Sequence, residues 1–103
     1  MLIPYPYDDL TSTKKRPVVI ISRDSANLDS FIVAKITSVV RGDSFSFSLA
    51  DADLTLSLPK PSEVRTHQLF TAHKTLVVKK LSTLKQPALR RLTDQIKMHI
   101  SVY

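Results

Sequence analysis

The chain has 103 residues, enough for one domain with a modest core, and its 43% apolar and 23% charged residues describe a globular rather than a disordered sequence. Fifteen basic against nine acidic residues give a net charge of +6 and a pI near 9.8. That balance suits a polyanionic partner, through counterion release at phosphates, although a basic surface does not by itself require one. The absence of cysteine excludes disulfides and cysteine metal sites, and Pro4, Pro6, Asp8 and Asp9 interrupt any early apolar run, so no signal peptide or membrane span is expected and the protein is read as cytoplasmic.

Leu2 to Tyr7 alternates proline with bulky residues and predicts a short extended edge segment, because proline cannot donate to a ladder. Tyr5 and Tyr7 share a face there, either as core or as a stacking platform for a base. Asp8 to Arg16 has turn chemistry and ends in the basic triplet Lys14, Lys15, Arg16, a loop suited to a nucleic-acid contact or to a plain surface connection. Pro17 then opens an unbroken β-branched run, Val18 to Ile21, closed by Ser22. After a polar bridge, Phe31 to Ile36 supplies a partner strand that ends in Thr37 and Ser38 and extends through Val39 and Val40.

Arg41, Gly42 and Asp43 turn the chain, and Gly42 is its only glycine, so it marks the place where the backbone most needs one. Ser44 to Leu49 alternates serine with Phe45, Phe47 and Leu49, the period of a half-buried strand. Ala50 to Leu58 repeats the alternation more weakly before Pro59, Lys60 and Pro61 end it. Strands are expected again over Ser62 to Thr71 and Thr75 to Leu81. The tail changes period: Leu89, Leu92, Ile96 and Ile100 recur at helical spacing behind Pro87, which predicts an amphipathic helix over about 86–100. The fold class is therefore mostly β with a C-terminal helix, one domain over 1–103.

Two places could carry chemistry. If the second and third strands pair as neighbours, Arg16 lies near Thr37 and Ser38, and a guanidinium beside two hydroxyls can hold a phosphate. A solvated strand end is the alternative reading of the same residues. Arg65 and His67 are two apart, so on a regular strand they leave one face. A permanent cation could then stabilise a phosphorane while the imidazole moves a proton, or the two could simply belong to an exposed ladder. His67 and His73 without a carboxylate between them make a poor metal site, and no cofactor or metal is expected.

In order along the chain stand Lys15-Arg16-Pro17 with its apolar strand to Ser22, then Ile36-Thr37-Ser38, then Ser62-x-Val64-Arg65-x-x-Gln68-Leu69-x-Thr71, then an apolar strand and a helix. This order resembles the MazF/PemK family of toxin endoribonucleases, over nearly the whole chain from Pro4 to about Ile100. The resemblance implies a small SH3-like antiparallel barrel with a terminal helix; the chain departs from the family in its first strand, which begins at Leu2 and is read as shortened. It also implies a homodimer and a cognate antitoxin that occupies the RNA groove. The implied activity is metal-independent cleavage of single-stranded RNA, in which the ribose 2′-hydroxyl attacks the adjacent phosphate to leave a cyclic phosphate and a 5′-hydroxyl.

Position by position, the resemblance gives Arg16 the stabilisation of the phosphorane or the leaving oxygen, and Thr37 the holding of the scissile phosphate. Arg65 matches an arginine found in part of the family. His67 falls where many members keep Asp or Glu as the proton acceptor, which implies a rate that falls below about pH 6.5, the unperturbed imidazole value. Lys14, Lys15 and Ser38 are the expected RNA contacts. Ser82 stands where the family usually has a glycine before the helix. Two other functions suit the same fold: a CcdB-like toxin that poisons a topoisomerase by contact, and an inactive member that acts only as a binding partner.

Overall fold

A computed structural model describes residues 2–5, 16–22, 30–73 and 80–100, with Tyr5 and Arg16 described by their backbone alone. The strands are β1 (Leu2–Tyr5), β2 (Arg16–Ile20), β3 (Ser30–Thr37), β4 (Ser46–Ser48) and β5 (Glu63–His73), followed by one helix, α1 (Gln86–His99). They form a five-stranded antiparallel sheet in the order β1-β2-β3-β5-β4. The long β-branched runs of β2 and β3 occupy its middle, as expected of strands covered on both faces.

Alternate residues feed two cores. Leu2, Val19, Ala34, Ile36, Phe47 and Val64 point to one face, where Ala88, Leu92 and Ile96 of α1 cover them. Ile3, Val18, Ile20, Val33 and Ala72 point to the other, with Phe31 and Phe70 packed alongside. Each fully buried Val, Leu or Ile contributes roughly 1.5–3 kcal/mol. The helical stripe is Ala88, Leu92, Ile96, spaced by four. Ile100, expected to extend it, lies one residue past the helix and is 62% exposed. Pro87 sits in the first turn of α1, where its missing donor costs nothing.

Three expectations are corrected. The weak alternation of 50–58 is not a strand: Asp51–Asp53 forms a single 3₁₀ turn, and Leu54 only bridges Leu84. Here Leu54 is buried, while Leu56 is 65% exposed, so the period-two pattern has no sheet to face. Val39 and Val40 do not extend β3; the strand stops at Thr37 and both valines are exposed. The sheet is open among the described residues rather than a closed barrel. Its β1 edge is met instead by residues 81–82, through Leu2 N–H to Ser82 O (2.9 Å) and Leu81 N–H to Leu2 O (2.7 Å). The expected loop over 8–15 and most of the expected strand over 75–81 lie outside the described residues.

Ser82, in the position expected of a glycine, is buried and fully used. Its hydroxyl donates to Leu56 O (2.8 Å) and accepts from Leu56 N–H (3.0 Å), which ties the approach to α1 onto residues 55–56.

Candidate active site

The register of the central strands sets the site. Val18 faces Lys35 and Val19 faces Ala34, so continuing this pairing two residues beyond Val18 brings the Arg16 backbone opposite Thr37. Arg16 pairs with Tyr5 on its other side, and Thr37 with Glu63. The start of β2 and the end of β3 thus share one rim of the sheet, where Pro17 lines the same cleft as Ile36, Thr37 and Ser38. Lys14 and Lys15 lie outside the described residues.

Thr37 is half-buried and Ser38 exposed. The Thr37 hydroxyl oxygen accepts from Val39 N–H (3.1 Å), which turns the chain sharply out of β3 and leaves the hydroxyl proton for another acceptor. Beside them opens a concavity of about 180 Å³, lined by apolar Pro17, Ile36, Leu58 and Pro59 and by polar Thr37, Ser38, Lys60 and Ser62. An apolar cleft with a few converging polar groups is the usual form of a small ligand site. Here it abuts a hydroxyl pair and a strand that begins with arginine.

Arg65 is arranged very differently. The residue is 6% exposed, and its guanidinium donates to Asp43 through two parallel bonds (3.0 Å each), to Ser46 Oγ (3.1 Å) and to Glu63 Oε2. Glu63 is 1% exposed and also accepts from Ser46 Oγ (2.6 Å), Arg41 N–H (2.8 Å) and Gly42 N–H (3.3 Å). Burial pushes the Glu63 carboxyl up, but the hydrogen bonds from Ser46, Arg65 and the two backbone donors outweigh it and hold it at about 2. The bonds from Arg65 likewise lower Asp43 to about 2, against partial desolvation and with help from Phe45 N–H and Ser46. Arg65 in turn is raised, first by Asp43 and then by Glu63. The cluster fastens the turn at Gly42, whose φ of +62° is the left-handed conformation expected of the chain's only glycine.

The shared face expected for Arg65 and His67 is not formed. Lys35 faces Arg65 while the preceding Ala34 faces Leu69, so Thr66, His67 and Gln68 form an excursion in β5. His67 is exposed and stacks on Phe45 (ring centroids 4.1 Å apart), which also meets His99 of α1 (4.8 Å). The excursion is held by Thr66, whose N–H and hydroxyl both donate to Phe45 O (2.9 and 3.1 Å).

Sequence reasoning missed the buried partner of Arg65. The same period-two logic that paired Arg65 with His67 also places Glu63 beside it, and opposite charges two apart on one strand were the available signal. Lys60 and Ser62 of the concavity were also missed, since they reach Thr37 only through the fold.

An antiparallel sheet covered by one C-terminal helix, with a hydroxyl-bearing rim and a cleft at the end of its central strands, defines a small β domain. A family model for the PemK-like, MazF-like toxins of type II toxin–antitoxin systems matches residues 2–100, and the chain belongs to that family. Among solved structures it resembles the Mycobacterium tuberculosis toxin MazF-mt6, with a TM-score of 0.69 and 27% identity over 84% of this chain and 87% of that one. A second structure, of an Mtb toxin, shares the fold with a TM-score of 0.69 and 24% identity over 82% and 92% of the two chains. No curated protein sequence matches. Membership in a type II toxin family implies an antitoxin as partner. No helix among the described residues is long and apolar enough to cross a membrane.

Proposed function

We propose that the chain is the toxin of its pair and acts as a metal-independent endoribonuclease on single-stranded RNA, as a cytoplasmic homodimer neutralised by its antitoxin. The observation that carries this reading is the rim where the start of β2 and the end of β3 meet, with Thr37 and Ser38 beside an open cleft. In the proposed reaction the ribose 2′-hydroxyl attacks the adjacent phosphate, the P–O5′ bond breaks, and a cyclic phosphate and a 5′-hydroxyl are left. Arg16 stabilises the charge that develops on phosphorus-bound oxygens, and Thr37 donates its free proton to one of them. Lys14, Lys15 and Ser38 contact the RNA backbone.

Arg65 and His67 enter the proposal in separate roles. Arg65 has its guanidinium engaged by two carboxylates and a hydroxyl, so it acts as a positioning residue that holds the turn following Ser38. His67 is the proposed proton acceptor. It lies four residues beyond Glu63, the partner of Thr37, and is exposed to solvent.

The test is cleavage of a long single-stranded RNA in EDTA, with the new ends typed and the rate followed against pH. Discrete cuts with 5′-hydroxyl ends are expected, and His67→Ala should lower the rate by about 10²–10⁴-fold and remove the acid limb of the profile. An unchanged profile in His67→Ala would take the proton transfer away from this residue. Intact RNA beside folded, growth-inhibiting protein would favour a contact toxin.

A further inference from the structure

The excursion at 66–68 does more than separate His67 from Arg65. It brings the His67 ring onto Phe45, with centroids 4.1 Å apart and ring planes tilted by 34°, and the same phenyl ring meets His99 at 4.8 Å. Bulges that re-aim one side chain are common beside functional sites. Phe45 backs the imidazole firmly because the backbone around it is held from three directions. Its N–H donates to Asp43 Oδ1 (3.0 Å), and its carbonyl accepts from the N–H and the hydroxyl of Thr66 (2.9 and 3.1 Å). The carbonyls on either side are held from α1, Ser44 O by His99 Nε2–H (3.0 Å) and Ser46 O by Gln95 Nε2 (2.9 Å). Phe45 is half-buried and His67 is exposed, so the imidazole is covered on the side of Phe45 and open on the side turned away from it.

An aromatic ring fixed from behind and open in front is a surface on which unpaired bases stack, and any base can use it because every base has a π face. A ring already held in place leaves little to be ordered on binding, which favours affinity. The net charge of +6 supplies the attraction for a phosphate backbone. We infer that the open face of His67, backed by Phe45 and His99, is a stacking platform for one base of single-stranded RNA. Neither His67 nor Phe45 lines the cleft beside Thr37, so the platform is a separate contact. The inference rests on the reading of the chain as an RNA-binding toxin, but not on which residue accepts the proton. Stacking uses the face of the imidazole and leaves its in-plane nitrogens for hydrogen bonds and protons.

The test separates stacking from charge and from cleavage. A 2′-O-methyl oligoadenylate of about eight nucleotides, which has no attacking hydroxyl, is titrated into the full chain beside a sugar–phosphate oligomer of equal length that lacks bases. The ring proton resonances of His67 are followed, and affinities are measured over a range of salt. The oligoadenylate is expected to move the His67 ring resonances upfield and to bind about tenfold more tightly than the oligomer without bases. His67→Ala should lose about that factor for the oligoadenylate while the slope of log affinity against log salt stays the same, since no phosphate contact is removed. His67→Phe should bind as the unaltered protein does, because a phenyl ring also stacks. Undiminished binding in His67→Ala would overturn the inference. So would a His67→Phe variant as weak as His67→Ala, or a salt slope that falls by about 0.7 in both, because either assigns the contact to the imidazole's polar chemistry and not to its face. Normal binding by His67→Phe retains the platform whatever its cleavage rate, and that rate reports separately on the proton transfer. Equal binding of the two oligomers would remove the platform alone, whereas no binding of either would remove the RNA reading with it.

Discussion

Two polar clusters in this protein differ in what they leave for a ligand: the one around Arg65 is closed, and the one at the rim is open. Around Arg65, donor and acceptor are matched: the guanidinium meets Asp43, Glu63 and Ser46, and Glu63 takes up the N–H groups of Arg41 and Gly42. At the rim, Thr37 keeps a hydroxyl proton, Ser38 is exposed, and a cleft opens beside them. A satisfied buried network costs much to disturb and offers nothing to a ligand, whereas open donors at a strand end cost little and can meet one. The first cluster therefore holds the chain in shape, and it is to the second that the proposed chemistry is assigned. The two are linked because β3 runs from the rim directly into the turn that the network fastens.

Removing one partner from the buried network should have the largest effect on stability. Arg65→Met leaves the Glu63 carboxylate buried without its cation, and a loss of about 3–5 kcal/mol is expected in denaturant unfolding. Replacing both, with Glu63→Met and Arg65→Met together, should recover much of it, since no buried charge is then left. If the single variant were as stable as the parent and lost only activity, Arg65 would belong with the rim.

Acid should expose the same cluster. Glu63 and Asp43 are held at about 2 in the folded chain, below their ordinary values of 4.5 and 3.8. As pH falls the unfolded chain therefore takes up protons first. Their contribution is complete above about pH 4.5 and is lost progressively toward pH 2. Glu63→Gln should flatten the fall in melting temperature over that window, and an unchanged slope would place the acid sensitivity elsewhere. The smallest effect is expected at Gly42, where an added Cβ meets nothing within 4 Å and only the positive φ opposes it. Gly42→Ala should cost roughly 1–2 kcal/mol without changing the network's acid response.

The fold was legible where one periodicity ruled one element. The β-branched runs of β2 and β3 and the helical spacing of 86–99 gave strands and helix directly, and Gly42 announced its left-handed turn. Legibility failed where alternation lacked a partner. Leu54, Leu56 and Leu58 read as a strand, but no neighbouring strand pairs with them beyond the bridge of Leu54 to Leu84. At the rim, the meeting of the start of β2 with the end of β3 followed from strand pairing alone. The separation of Arg65 from His67 did not, because the excursion at 66–68 depends on backbone and hydroxyl bonds to Phe45 that no local pattern in the sequence encodes. Lys60 and Ser62 were illegible for a related reason: more than twenty residues separate them from Ser38, and only the fold closes that distance.

If chemistry belongs to the rim and shape to the network, one side-by-side measurement separates them. Cleavage of a long single-stranded RNA in EDTA is compared for the unaltered protein, Arg16→Ala and Glu63→Met/Arg65→Met, each assayed at equal folded concentration with the new ends mapped. Arg16→Ala is expected to remain folded and to lose on the order of 10²–10³ in rate. The double variant, in which the turn after Ser38 is no longer fastened, is expected to cut at the same positions with 5′-hydroxyl ends at a reduced rate. Full activity in folded Arg16→Ala, or abolished activity in a folded double variant, would contradict this division.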